Sequence, residues 1–158
     1  MPRNYSVPFK ETIHRTGAPE APLLLLEINH VDLATPIRVV NDNLDLVSNG
    51  NTYTAMAFRA LMPDDLDQSQ PRAALAIDNV GKELTTWLES SGGGEGATVT
   101  MRQVLRSAPN TIEWEATLNL SEVQTNLLEV TGTLSFDDTL NLPAVPLTYR
   151  PDVAPGIF

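Results

Sequence analysis

The clearest pattern in the chain is an alternation. From residue 112 to residue 120, Ile112, Trp114, Ala116, Leu118 and Leu120 take turns with Glu113, Glu115, Thr117 and Asn119. A period of two predicts a β-strand with one face in a core and the other in water. A run around Leu127–Phe136 keeps the phase through Leu128, Val130, Leu134 and Phe136. Upstream, Leu23–Asn29 is an apolar run of strand length, and Ile37–Val40, Phe58–Met62, Ala73–Ile77 and Ala97–Leu105 read as further strands. Leu44–Val47 leads through Asn49-Gly50 into Thr52–Thr54. Asn-Gly between apolar runs predicts a hairpin, because both residues tolerate the positive φ of a type I′ turn.

One stretch has a helical period instead. Val80, Leu84, Trp87 and Leu88 fall on one helix face, after Asp78 or Asn79 as the cap and before Gly92-Gly93-Gly94 and Gly96. The helix is placed at about 80–90. Residues 1–21 carry Pro2, Pro8, Pro19 and Gly17 without a clear period, and predict an extended arm with one short helical turn around Phe9–His14. Residues 22–158 then form a single β-rich domain, whose tail 143–158 carries four prolines and is expected to be extended. Many short strands with one amphipathic helix predict a mainly β fold: an antiparallel β-sandwich or a partly closed barrel.

Composition narrows the function by exclusion. The 158 residues include no cysteine, which removes disulfides, iron–sulfur ligation and thiol chemistry. The longest aliphatic run, Leu23–Leu26, stops at Glu27, far short of a membrane helix, and the first residues have no signal-peptide apolar segment. The net charge of −10 argues against sequence-specific nucleic-acid binding and against anionic membranes. It is unevenly spread. Residues 1–40 carry four bases and four acids, whereas residues 41–158 carry six bases against sixteen acids. Arg3, Lys10 and Arg15 face only Glu11 within the first fifteen residues. A solvated face beside a neutral segment explains this; a weakly basic arm lying on an acidic body is the sharper reading.

The candidate chemistry is thin. His14 and His30 are too far apart for an i, i+4 metal pair, and His30, after an apolar strand, is expected to hydrogen-bond a loop. No G-x-S-x-G elbow is present. The glycines at 92–96 follow a helix, where they stop it, rather than precede one, where they could cradle a phosphate. Asp64, Asp65 and Asp67 are the densest acids, but they lack the spacing of a calcium loop and read as a solvated turn. Glu113 and Glu115 would project from one strand face about 7 Å apart, a separation compatible with glycosidase carboxylates but equally explained by simple alternation. Arg102 and Arg106 form a basic pair with no interleaved aromatics, so a base-stacking platform has no support. Trp87 and Trp114 are in phase with core faces. No catalytic residue, metal site or cofactor is assigned.

Three stretches carry a resemblance. Asn49-Gly50-Asn51-Thr52-Tyr53 leads through Ala57-Phe58 to Leu61-Met62-Pro63-Asp64-Asp65; Leu75–Gly81 precedes the amphipathic helix and Val99-Thr100 and Gln103–Leu105; Tyr149-Arg150-Pro151 and Pro155–Phe158 close the chain. In order and spacing they resemble a family of siphophage minor tail proteins of unknown function. The layout is also similar to the N-terminal domain of the lambda minor tail protein L. That relative carries a cysteine-rich C-terminal domain with an iron–sulfur cluster, and the absence of cysteine here means that no such cofactor role carries over.

The resemblance implies a fold related to the tail-tube and hub modules. It also implies a structural role in a tail tip or baseplate, within the virion tail assembled in the host cytoplasm. The expected form is a homo-oligomeric ring, a trimer or hexamer, contacting the hub, the distal tail protein and the end of the tape measure. Arg3, Lys10 and Arg15, with Pro155, Gly156, Ile157 and Phe158, are the candidate interface, since extended termini can add strands to a neighbour's edge. Asp64, Asp65 and Asp67, or the Glu113/Glu115 face, are candidates for an acidic lumen that repels passing DNA. Two rival readings are a carbohydrate- or receptor-binding β-sandwich and a carboxylate-pair hydrolase.

Overall fold

The computed structural model describes residues 5–61, 72–78, 87–88, 91, 93–94, 96–126 and 129–136. Over these residues the chain forms the helix α1 (Val7–His14), nine strands, and a helical pair at Trp87 and Leu88. The strands are β1 (Leu23–Asn29), β2 (Ile37–Val40), β3 (Leu46–Ser48), β4 (Asn51–Ala55), β5 (Phe58–Leu61), β6 (Arg72–Asp78), β7 (Thr98–Val104), β8 (Trp114–Thr125) and β9 (Glu129–Ser135). They make a single sheet in the order β3-β4-β2-β1-β7-β8-β9-β6-β5. Every described neighbour pair is antiparallel except β2 and β4, which run parallel with Val39 beside Thr54 and Val40 beside Ala55. The sheet is therefore mixed rather than purely antiparallel. β3 and β5 stand at its two ends unpaired with each other, so it is an open sandwich and not a closed barrel.

The core explains the curvature. Leu26 and Ile28 of β1, Val39 of β2, Phe58 of β5 and Leu75 and Ile77 of β6 share one buried cluster with Val99, Met101, Leu118 and Leu134. Strands from both halves of the order bury the same side, so the sheet folds over on itself, and Trp87 and Leu88 complete that cluster. A second cluster lies on the opposite face of β1: Leu23 and Leu25 with Val40, Val104, Leu46 and Tyr53. Both faces of β1 are thus covered, as an uninterrupted Leu23–Leu26 run requires of an inner strand.

Local signals account for the turns. Asn49 (φ 48°) and Gly50 (φ 79°) sit between Ser48 and Asn51, which are register partners, so the Asn-Gly hairpin forms where the sequence predicts it. Trp87 and Leu88 are helical, and the Ser91 N–H donates to the Trp87 carbonyl at 2.8 Å. Gly93, Gly94 and Gly96 all take positive φ just beyond, ending the helix as expected. At Gly94 an added Cβ would lie 3.0 Å from the Trp87 ring. The other residues predicted for helix 80–90 lie outside the described residues, as do loop 63–71 and tail 143–158.

Besides the parallel β2–β4 pairing, the structure departs from the expected elements in three places. The N-terminal segment forms two full turns of helix, with Ser6 as N-cap. Its Oγ accepts from the Phe9 N–H at 3.3 Å. β8 starts at Trp114, leaving Ile112 41% exposed, and continues past Ser121 through a bulge at which Glu122 takes φ 53°. Phe136 lies beyond the end of β9 and is half exposed rather than in the core.

Candidate functional site

The most organised polar cluster lies on the β1 face that carries the second core. Glu27 on β1, Arg38 on β2, Tyr53 on β4, Arg102 on β7 and Glu115 on β8 converge there. Arg102 Nη1 donates to Glu27 Oε2 at 2.9 Å and to Tyr53 Oη at 3.1 Å, while its Nε donates to Glu115 Oε2 at 2.5 Å. Arg38 Nε stands 3.4 Å from the same Glu27 oxygen. Burial alone would push the Glu27 carboxyl up, but the two guanidiniums outweigh it and hold it below the usual carboxylate range. Burial raises the Tyr53 hydroxyl. Arg102, despite the burial that opposes its charge, is held charged by Glu115 and Glu27.

This arrangement clamps strands together. Both carboxylates are occupied by arginines, and a general acid or base needs a carboxylate free to reach a substrate proton. The Glu113/Glu115 pair also dissolves. Glu115 belongs to the Arg102 network, whereas Glu113, ahead of β8, accepts from the Ser6 backbone N–H at 2.8 Å and from the Ser6 hydroxyl. Arg106 bonds Asp42, which it holds below its ordinary pKa, and reaches the Leu44 carbonyl at 3.0 Å. Neither arginine of the predicted basic pair is a free cation, because each sits in a specific ion pair.

The N-terminal segment is fastened at two points. Ser6 is bound to Glu113, and Glu20 accepts from the Ser107 backbone N–H at 3.0 Å and from its hydroxyl. Phe9 is only 1% exposed and stacks on Tyr5 with ring centroids 5.0 Å apart. The opposite face of α1 is open: Lys10, Glu11 and His14 are exposed together with Val7 and Ile13, and Arg15 follows as C-cap.

A groove of about 490 Å³ opens on the outer sheet face near the far end of β8. Its floor carries Ala74 and Ala76 of β6 with Thr131 and Thr133 of β9; Arg59 on β5 stands at one side, and Glu122, Gln124 and Glu129 at the other. The bulge in β8 turns Glu122 over the floor, where its Oε2 accepts from Thr133 Oγ1 at 3.0 Å. Among the described residues, no aromatic ring lines this groove.

Lys10 is exposed on α1 and Arg15 is exposed just beyond it, as the C-cap. Arg3, Asp64, Asp65, Asp67 and the C-terminal Pro155, Gly156, Ile157 and Phe158 lie outside the described residues. His30 bonds a loop as expected, accepting from the Asp32 N–H at 3.1 Å, and packs edge-on to Trp87. Trp87 is buried and Trp114 packs partly buried against the main core. The Glu27–Arg102 clamp and the Ser6–Glu113 tie were not legible from sequence, since 75 and 107 positions separate their members. Among the described residues there is no group of three metal-binding side chains, and no helix is long and apolar enough to cross a membrane.

A family model described as a domain of unknown function (DUF1833) matches residues 8–149. No curated protein matches the sequence. Among solved structures, the fold is similar to a chain described as part of the virion of a native gene transfer agent particle. The TM-score is 0.66 at 15% identity, over 92% of this chain and 50% of that one. The chain thus spans half the length of the virion protein it matches.

Proposed function

The chain belongs to the family of the domain of unknown function DUF1833, and from that premise we propose that it is a structural component of a phage or phage-like virion. The observation that carries the proposal is the likeness of nearly the whole fold to a chain of a gene transfer agent virion. The polar chemistry supports the same reading. The best-organised charged residues hold strands together, and among the described residues the groove carries no aromatic platform of the kind a carbohydrate-binding sandwich would offer.

Within the particle, the proposed position is the tail tip or baseplate, in a ring that meets the hub, the distal tail protein and the end of the tape measure. The open face of α1 with Lys10 and Arg15, and the C-terminal residues Pro155–Phe158, are its proposed contacts. The role is that of a non-enzymatic assembly subunit of the virion tail, built in the host cytoplasm. Deleting the coding sequence tests this: the reading expects heads that fill with DNA but no complete, infectious tails. Normal infectious particles from the deletion would refute it.

A further inference from the structure

The open face of α1 and the groove on the outer sheet face are complementary and sit at opposite ends of one strand. At 100° per residue, Val7 and His14 centre the exposed arc of α1 opposite the buried Phe9, with Lys10 and then Ile13 on one flank and Glu11 on the other. The groove crosses β5, β6, β9 and β8, so its two sides stand three strand spacings apart, about 14 Å. A helix is about 10–12 Å across. The alanine and threonine floor lets a helix backbone approach closely, with Glu122 on the β8 side and Arg59 on the β5 side. Lys10 and Glu11 present the two opposite charges, adjacent on α1.

We propose that α1 of one copy of this chain seats in the groove of the next copy, joining subunits head to tail. Lys10 then faces Glu122, Glu11 faces Arg59, Val7, 68% exposed in the single chain, lies on the floor, and Ile13, 50% exposed, follows Lys10 on the β8 side. The contact cannot form within one chain. Ser6 holds the start of α1 to Glu113, whereas the groove wall at Glu122–Gln124 lies nine to eleven residues along the same stretch, about 30 Å away. An eight-residue helix spans only about 12 Å.

A contact between two different surfaces of identical subunits closes into a ring when the rotation permits. The inference therefore rests on the ring assembly proposed above and specifies which surfaces meet. One helix face buries well under the roughly 800 Å² per partner of a stable complex, so an isolated pair is weak and closure of the ring supplies the avidity.

Because the chain has no cysteine, the contact can be trapped at chosen positions. Full-length Ile13→Cys and Ala74→Cys chains are mixed and treated with a short bis-maleimide. Mixed dimers should exceed both same-site dimers and the background from Ile13→Cys with the exposed Val31→Cys. Adding Lys10→Glu to the first chain should cut the yield roughly twofold to fivefold, and Glu122→Lys in the second should restore it. Yields at background, or same-site Ile13→Cys dimers in excess, would overturn the head-to-tail contact. So would Ala74→Cys linking only to a different protein in purified particles. Particles that contain the chain without the link leave the virion reading intact and refute this contact alone; a link in solution with the chain missing from particles does the reverse.

Discussion

Arg102 on β7 and Glu27 on β1 are diagonal neighbours rather than register partners: Arg102 lies opposite Leu25, and Glu27 opposite Thr100, yet Nη1 reaches Oε2 at 2.9 Å. The diagonal reach lets one guanidinium also hold Glu115 on the next strand and Tyr53 on β4. Strands β4, β1, β7 and β8 are thereby tied on the face where the second, smaller core lies.

Removing Arg102 leaves a carboxylate whose side chain is only 13% exposed without its main partner. Arg102→Ala is expected to cost about 2 kcal/mol, because an uncompensated, largely buried charge is worse than none. Glu27→Gln, which keeps the shape and removes that charge, should cost less. Urea midpoints of the two variants decide the point, and equal losses would contradict the account.

The same network sets an acid limit. Burial raises the Glu27 carboxyl, but Arg102 and Arg38 bring it below its ordinary value; Arg106 and the Asn43 N–H lower Asp42 likewise. A folded-state pKa below the unfolded one means stability that is present above the unfolded value and lost as pH falls through the folded one. Stability should therefore decline as pH drops below about 4.5, and the decline should be shallower in Glu27→Gln. Urea midpoints taken at a series of acid pH values read this directly; parallel slopes for the two proteins would rule out Glu27 as a contributor.

The attachment of α1 rests on Ser6 and Phe9. Ser6→Ala removes the N-cap and the hydroxyl bond to Glu113, an expected loss of about 1–2 kcal/mol for the helix. Phe9→Ala empties a site now 1% exposed and should release α1 while leaving the sheet folded. Proteolysis between Arg15 and Pro22 should speed up in Phe9→Ala, with the β-sheet circular dichroism signal retained. Unfolding of the whole chain would show that α1 is instead integral to the core.

Gly132 is a packing constraint rather than a turn. A Cβ built there would fall 2.7 Å from Leu120 Cδ1, so Gly132→Ala forces that side chain to move and should cost about 1–3 kcal/mol. Leu120→Ala in the same chain should recover part of the loss, because the two sites share one space. Additive losses in thermal denaturation would refute the coupling.

Local signals carried most of this fold. The Asn49-Gly50 turn, the Leu23–Asn29 strand and the helix-ending glycines each depend on neighbouring residues, so sequence periodicity and turn chemistry reveal them. The parallel pairing of β2 with β4 was hidden, since it depends on how the hairpin returns to the sheet rather than on any residue in it. Glu113 and Glu115 illustrate the limit for the site. Alternation put them on one face, but the strand begins only at Trp114, and tertiary partners 107 and 13 positions away give the two carboxylates separate tasks. Helix α1 starts at Val7, two residues ahead of the turn expected from Phe9, because a proline at position 8 is well suited to the first helical turn.

The central claim is that this chain is built into a virion. Electron cryomicroscopy of purified particles made by the genome that encodes it, with the β-sandwich fitted to the density, tests that claim most directly. The account predicts density for the nine-stranded sheet in a closed ring at the tail tip, with α1 of each subunit against the next. Well-resolved tail tips with no density for this sheet, from particles in which mass spectrometry finds no peptide of the chain, would contradict it.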